Sequence, residues 1–115
     1  MPPRQWRLFV ADIVDALQAI DSYTAGLTRE QFCGDRLRVD AVIKNLTVIG
    51  EAAGRVPADV TEANARIPWS RMRAMRNVVV HEYFGIDEEV LWGTIGDDLK
   101  PLLPLLAALL AATDD

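Results

Sequence analysis

The sequence predicts an all-α fold, a bundle of four to five helices that forms one domain over residues 1–115. Apolar residues recur at three- and four-residue steps through the longest segments, and this spacing is typical of amphipathic helices. Glycine and proline stand at separated points, as expected of short connections between helices. Half of the 115 residues are apolar and a quarter are charged, which is the composition of a globular chain with one core.

The first helix is predicted over residues 5–23. Its apolar members follow the helical period and are Trp6, Phe9, Val10, Ile13, Val14, Leu17 and Ile20. We expect Gly26 to end it, because glycine readily adopts the left-handed conformation found after helix C-termini. Thr28 is expected to cap a short turn, with Glu30 and Gln31 close to the capping-box position.

A second long helix is predicted from Asp35 to Val56, closed by Pro57. The side chains expected to face inward are Leu37, Ala41, Leu46, Val48, Ile49 and Ala52, and the polar ones are Arg38, Lys44, Glu51 and Arg55. Within the small-residue run 49–53, Glu51 could lie at a helix contact near a functional site or on an exposed face. We favour a packing role for the glycine and alanines of this run.

The third helix is predicted to begin at Arg71, after a loop containing Pro68 and with Ser70 as its N-cap. The three valines at 78–80 weaken the helical assignment, because β-branched residues favour strands. No partner strand is predicted elsewhere in the chain, so we assign the segment to a helix that ends at Gly85.

The last helix is predicted to start after Asp87 as N-cap, with Glu88 and Glu89 in a first turn where negative charge is favourable. Its apolar members are Trp92, Ile95 and Leu99. We expect a kink or break at Pro101. Residues 102–110 are apolar on more than one face, and this surplus in a small domain favours a homodimer.

The charges are unevenly distributed along the chain. The net charge is −5, but residues 63–80 hold four arginines and no acid, so this segment carries +4 and the rest −9. A polyanion would therefore be bound at this segment. The lone Cys33 can form neither an intrachain disulfide nor a paired zinc site, no secretory signal is recognisable, and the apolar stretch 101–112 is too short to cross a bilayer. These features predict a cytoplasmic protein.

His81 is the only histidine, so proton transfer by imidazole near neutral pH would depend on it. Arg73, Asn77 and His81 fall on one stripe of a helix, although a solvated surface sorts its residues in the same way. Arg76 lies five residues before His81, roughly 140° away around the axis. The two could converge on a ligand if the helix ends near His81 or if a second copy completes the site across a two-fold axis.

A dimer would also supply a second imidazole. Metal-free RNA cleavage by attack of the ribose 2′-hydroxyl on the adjacent phosphate benefits from a base, an acid and a cation beside the phosphorane. A monomer of this chain has one imidazole, whereas a dimer has two. A structural or merely exposed histidine is the alternative.

The segment from Arg76 to Tyr83 resembles the Arg-x4-His-x-Tyr signature of HepT-like toxins, a group within the HEPN superfamily. The resemblance extends over most of the chain, through the blocks Asp12–Ile13, 23–27, 40–46, 49–53, 67–69, 75–77, 81–87 and 90–92. The spacing of arginine and histidine is weak evidence alone, but all these blocks in order are specific. Val80 and Glu82 stand where smaller residues are common in the family.

This resemblance implies a homodimeric helical bundle that acts as a metal-independent endoribonuclease without a cofactor. Arg76 would bind the phosphate and the transition state, and His81 would act as general acid and base. Arg71, Arg73 and Asn77 would contact the RNA phosphates. The cleft between the two copies would hold the RNA.

The resemblance further implies a type II-like toxin–antitoxin system. Toxins of this family are paired with a small nucleotidyltransferase antitoxin of the MNT type, which in some systems transfers AMP to the motif tyrosine. Tyr83 matches that position. On the sequence alone, a partly buried aromatic residue that closes the helix end is an equally good interpretation of Tyr83.

Two other functions compete with the enzyme. The first is a non-catalytic HEPN module that binds a nucleotide or a protein, and the second, weaker one is a DNA-binding helical protein. The overall acidity and the lack of a second basic helix count against DNA binding. We interpret Trp69 and Trp92 as core or dimer residues rather than platforms for stacking bases.

Overall fold

The computed structural model describes residues 5–82 and 88–112, and the side chains within them except those of residues 77–82. Helices are the only regular elements in these ranges, which confirms the all-α prediction. In chain order they are α1 (Gln5–Thr24), α2 (Arg29–Cys33), α3 (Arg36–Arg55), α4 (Ala58–Ala63), α5 (Trp69–Glu82), α6 (Glu88–Thr94) and α7 (Leu102–Ala111). Because α2 and α4 are only five and six residues long, the other five helices make up the predicted bundle.

The ends of α1, α2 and α3 follow the local signals in the sequence. Gly26, in the turn after α1 ends at Thr24, adopts a positive φ of 74°, a conformation that glycine tolerates without strain. Thr28 and Gln31 form a reciprocal capping box at α2. Asp35 caps α3 by accepting a hydrogen bond from the backbone N–H of Arg38. Cys33 is the last residue of α2.

The central element is α3, which packs against α1 on one side and α5 on the other. Its buried residues are Val39, Val42, Ile43, Leu46, Ile49, Gly50, Ala52 and Ala53. The inward-facing stripe predicted for the first half of the helix was therefore wrong: Leu37 is 81% exposed. Two overlapping stripes fit the helical period there, and the contact with α1 selects the one that contains Val42, which is fully buried.

The approach to α5 differs from the prediction. Pro57 follows α3 and is the N-cap residue of the short helix α4, which was not predicted. The helix α5 begins at Trp69 rather than Arg71, and Ser70 is an exposed residue of its first turn, so the N-cap prediction was wrong. Trp69 is buried as expected, with its indole N–H donated to the carbonyl of Asn64 at 3.1 Å. Burial of this ring fixes where α5 starts.

At the C-terminal end, α6 continues into a π-helical turn at Ile95–Leu99. The N–H of Lys100 closes this turn by donating a hydrogen bond to the carbonyl of Ile95 at 3.1 Å. The predicted break at Pro101 is confirmed, since α7 starts after it. A proline lacks the N–H that would continue the helix, and its ring crowds the preceding turn. The π-helical turn widens the backbone at this point.

The helix α7 packs against α1, and Arg7 of α1 donates from Nη2 to the carbonyl of Leu110 at 3.0 Å. Gly85, the predicted end of the third helix, and Asp87, the predicted N-cap of the last helix, lie outside the described residues. Glu88 and Glu89 occupy the first turn of α6 as expected. Among the helices that the structure describes, none is long and apolar enough to cross a membrane.

Candidate functional site

The helix α5 carries most of the residues predicted to act on a ligand. Its burial pattern separates a buried face of the helix from an exposed side. Met72 and Met75 are buried in the core and define the inner arc of the helix. With about 100° per residue, Arg76 and Arg71 lie at the two edges of this arc, roughly 140° apart. Arg73 is exposed and lies on the outer arc, roughly 60° from Arg76.

Arg76 lies where α5 is in close contact with α3 at Gly50. An ideal Cβ built on Gly50 would be 2.6 Å from the Cβ of Arg76 and 2.8 Å from its backbone nitrogen. Real Cβ atoms essentially never come so close to other heavy atoms, so only glycine permits this spacing of the two helices. The packing role that the sequence suggested for Gly50 is confirmed, and its partner is Arg76 itself.

The residue after Gly50 contacts the side chain of Arg76. Glu51 Oε1 lies 3.2 Å from Arg76 Nε, and the two side chains are 46% and 53% exposed. The ion pair therefore lies at the surface, open to a ligand. The contact is made by Nε, and the N–H groups of Nη1 and Nη2 can donate to another acceptor. The sequence had left this position open between a helix contact near a site and an exposed face, and the structure places Glu51 beside Arg76.

The four arginines of residues 63–80 do not form one patch. Arg71 Nη1 lies 3.8 Å from Asp98 Oδ1 in the π-helical turn, on the far side of α5 from the Arg76–Glu51 pair. Arg73 is exposed and has no ion pair with any of the residues that the structure describes. Arg66 is exposed in the turn before α5. Two of the four positive charges are thus balanced by acids from other elements.

Two further candidates lie on α5, but their side chains fall outside the described ones. The backbone of Asn77 and His81 is helical, and their positions on the helix are roughly 100° and 140° from Arg76, on the same outer arc as Arg73. Tyr83 lies outside the described residues. The structure thus brings Arg73, Asn77 and His81 to one arc of α5 by backbone position, with Arg76 at the edge of that arc.

This arrangement suits recognition of a phosphate. A guanidinium presents several N–H donors in a fixed plane that matches phosphate oxygens. Arg76 is half-exposed and pairs with Glu51 through Nε, and the neighbouring Arg73 adds a positive charge that no acid among the described residues balances. The outer arc of α5 is therefore a surface where one anionic group could contact two guanidinium groups.

The all-helical bundle, with Arg76 and His81 at Arg-x4-His spacing on one helix, is consistent with the HEPN class of domains. The chain belongs to the HepT-like family, since the family model described as "Ribonuclease HepT-like" matches residues 13–109. This match includes α3 and α5, the two helices that position Arg76.

Individual relatives agree with this family. A "Probable ribonuclease HepT" of Thermococcus cleftensis is 36% identical over 99 residues, which cover 86% of this chain and 90% of that protein. A "Putative RNase" of Methanocaldococcus jannaschii is 31% identical, with 89% of this chain and 94% of the relative covered. Another "Putative RNase", from Caldanaerobacter subterraneus, is 28% identical over 84% of this chain and 86% of its own length. No solved structure matches the chain significantly.

Proposed function

We propose that this protein is a metal-independent endoribonuclease and the toxin of a type II-like toxin–antitoxin pair, acting as a homodimer in the cytoplasm with residues 1–115 as one domain. Membership of a ribonuclease family supports the RNA substrate. The observation that carries the proposal is the arrangement of α5: Arg76 is held by α3 on the helix that also bears the only histidine of the chain.

In the proposed reaction the ribose 2′-oxygen attacks the adjacent phosphorus while its proton passes to a base. The bond from phosphorus to the 5′-oxygen breaks, and an acid donates a proton to that oxygen, which leaves a 2′,3′-cyclic phosphate and a 5′-hydroxyl. Imidazole can serve in either role near neutral pH. The His81 side chains of the two protomers supply one base and one acid.

The arginines act on the charge that develops during this reaction. Arg76 binds the non-bridging oxygens of the phosphorane through its Nη groups, where fixed donors stabilise the transition state most. Arg73 and Asn77, on the neighbouring arc, hold the flanking phosphates. Arg71 is an outer contact to the RNA backbone, reached only in competition with Asp98.

Regulation is assigned to the paired antitoxin, a nucleotidyltransferase of the MNT type. It transfers AMP from ATP to Tyr83: the phenol oxygen attacks the α-phosphorus, pyrophosphate leaves and the phenol proton is released. The adduct brings a phosphate charge and a bulky base close to His81, where it competes with RNA for the arginines.

The decisive experiment is cleavage of single-stranded RNA by the purified protein in the presence of a metal chelator. Wild type is expected to yield products with cyclic phosphate ends, and His81→Ala should lower the rate about 10²-fold or more, the scale of lost acid–base catalysis. Circular dichroism checks that the variant remains folded. A folded His81→Ala protein that cleaves like wild type refutes the mechanism, and an inactive wild type that binds nucleotide or the antitoxin supports the non-catalytic module instead.

A further inference from the structure

The guanidinium of Arg76 is fixed at one end by α3. We propose that Glu51 is a positioning residue for RNA cleavage. Glu51 and Gly50, both on α3, are together called the seat of Arg76. This inference rests on the proposed function, since it concerns how Arg76 meets the phosphate. Gly50 sets the distance between the two helices, and Glu51 sets the direction of the guanidinium.

The geometry explains how the seat works. Since Gly50 has no side chain, the backbone of α5 at Arg76 comes within a distance that any Cβ would prevent. The Arg76 side chain then starts close to the surface of α3, and its Nε forms an ion pair with Glu51 Oε1 at 3.2 Å. The carboxylate at this distance attracts the Nε end of the guanidinium and so restricts its rotation. The N–H groups of Nη1 and Nη2 can donate to another acceptor.

A contribution to folding stability alone does not explain why Glu51 pairs with Arg76. Both side chains are about half exposed, and exposed pairs contribute little to the free energy of unfolding. The charge of Glu51 also repels an RNA phosphate, so in this position it opposes substrate binding. A role in orienting the guanidinium explains why an acid lies beside a phosphate-binding arginine. Correct placement of the guanidinium has its largest effect on the rate in the transition state.

This account predicts opposite effects on binding and on catalysis. Glu51→Ala removes both the repulsion and the anchor, so RNA should bind as tightly as to wild type or more tightly, while kcat falls roughly 10- to 100-fold, the scale of a small misplacement of a reacting group. Glu51→Gln keeps the size of the side chain and removes only its charge, so its kcat should lie between wild type and Glu51→Ala. If Glu51 were only a surface charge, both variants would cleave at least as fast as wild type.

The chain offers a matched control on the same helix. Asp40 pairs with Arg36 at 3.0 Å, and the side chains of Asp40 and Arg36 are 48% and 73% exposed. Asp40→Asn thus removes an equally exposed carboxylate from α3 without touching Arg76. We expect it to leave kcat and KM unchanged and to match Glu51→Gln in melting temperature.

The experiment measures kcat and KM for RNA, together with the affinity for a 2′-O-methyl oligoribonucleotide, which lacks the attacking hydroxyl and cannot be cleaved. Nuclear magnetic resonance of the Arg76 Nε–H adds a readout that needs no activity: its chemical shift should differ between wild type and Glu51→Ala, because the carboxylate lies 3.2 Å from Nε. Unchanged kcat in Glu51→Ala, or an unchanged chemical shift of this proton, refutes the positioning role of Glu51.

Failure of the seat and failure of the proposed function are distinguishable. If Arg76→Ala abolishes cleavage while Glu51→Ala does not, Arg76 works without Glu51 and only the seat is refuted. If Arg76→Ala cleaves like wild type, the assignment of Arg76 as the phosphate binder is wrong, and the role of Glu51 in cleavage is wrong with it.

Discussion

Arg71 Nη1 lies 3.8 Å from Asp98 Oδ1, so this arginine is drawn toward the π-helical turn and away from the side of α5 that holds Arg76. Arg73, two residues further on, is exposed without an ion pair among the described residues. Arg71 and Arg73 are only two positions apart in the sequence, but only Arg71 has an acid from another element beside it among the described residues. This difference leads to a direct test of which guanidinium groups meet RNA.

Arg73→Ala is expected to weaken binding of the uncleavable RNA and to reduce the slope of log affinity against log salt by about 1, the change for one lost phosphate contact. Arg71→Ala should change the slope less, because Asp98 already balances this charge. Asp98→Asn serves as the control, since it frees Arg71 and should strengthen binding. Equal loss from Arg71→Ala and Arg73→Ala would contradict the division of the two residues.

Gly50→Ala is expected to lower the free energy of unfolding by about 1–3 kcal/mol, the usual cost of overpacking. The new Cβ would lie 2.6 Å and 2.8 Å from atoms of Arg76, so α5 must shift. Gly54 lies in the same helix with nothing within 4 Å of a built Cβ. Gly54→Ala should therefore be neutral or stabilising by up to about 1 kcal/mol. Urea denaturation measures both, and similar effects from the two variants would argue against close contact at Gly50.

Alanine substitutions at Asp35 and Ser70 compare an observed N-cap residue with a residue that was predicted to be an N-cap but is not. Asp35 accepts from the N–H of Arg38, and Asp35→Ala should cost about 0.5–2 kcal/mol. Ser70 is an exposed residue inside the first turn of α5, so Ser70→Ala should change stability by less than about 0.5 kcal/mol. A larger loss from Ser70→Ala than from Asp35→Ala, measured by thermal unfolding, would restore Ser70 as a cap.

Tyr83→Phe tests regulation separately from catalysis. The change keeps the aromatic ring and removes only the hydroxyl, so the variant should still cleave RNA and inhibit growth but escape the antitoxin. Intact-mass analysis after co-expression with the nucleotidyltransferase should show an AMP adduct on wild type and none on the variant. The same adduct on both proteins would place the modification on another residue.

The sequence by itself determined the helical class and several of the helix ends. Apolar spacing gives the period of a helix without reference to any partner, and signals such as Gly26, Thr28, Asp35 and Pro101 act through their own backbone or the adjacent turn. These predictions hold because the interactions that cause them span only a few residues.

The tertiary structure decided which faces are buried and which charges meet. Leu37 is exposed although it fits the apolar period, since packing of α1 against α3 selects the neighbouring stripe. Arg76 and Glu51 are 25 positions apart in the chain, and their contact at 3.2 Å depends on the close approach of α3 and α5 at Gly50. The arginine-rich segment indicated positive charge, but the acids that balance Arg71 and Arg76 come from other helices. Only the packing of the helices brings those acids within reach.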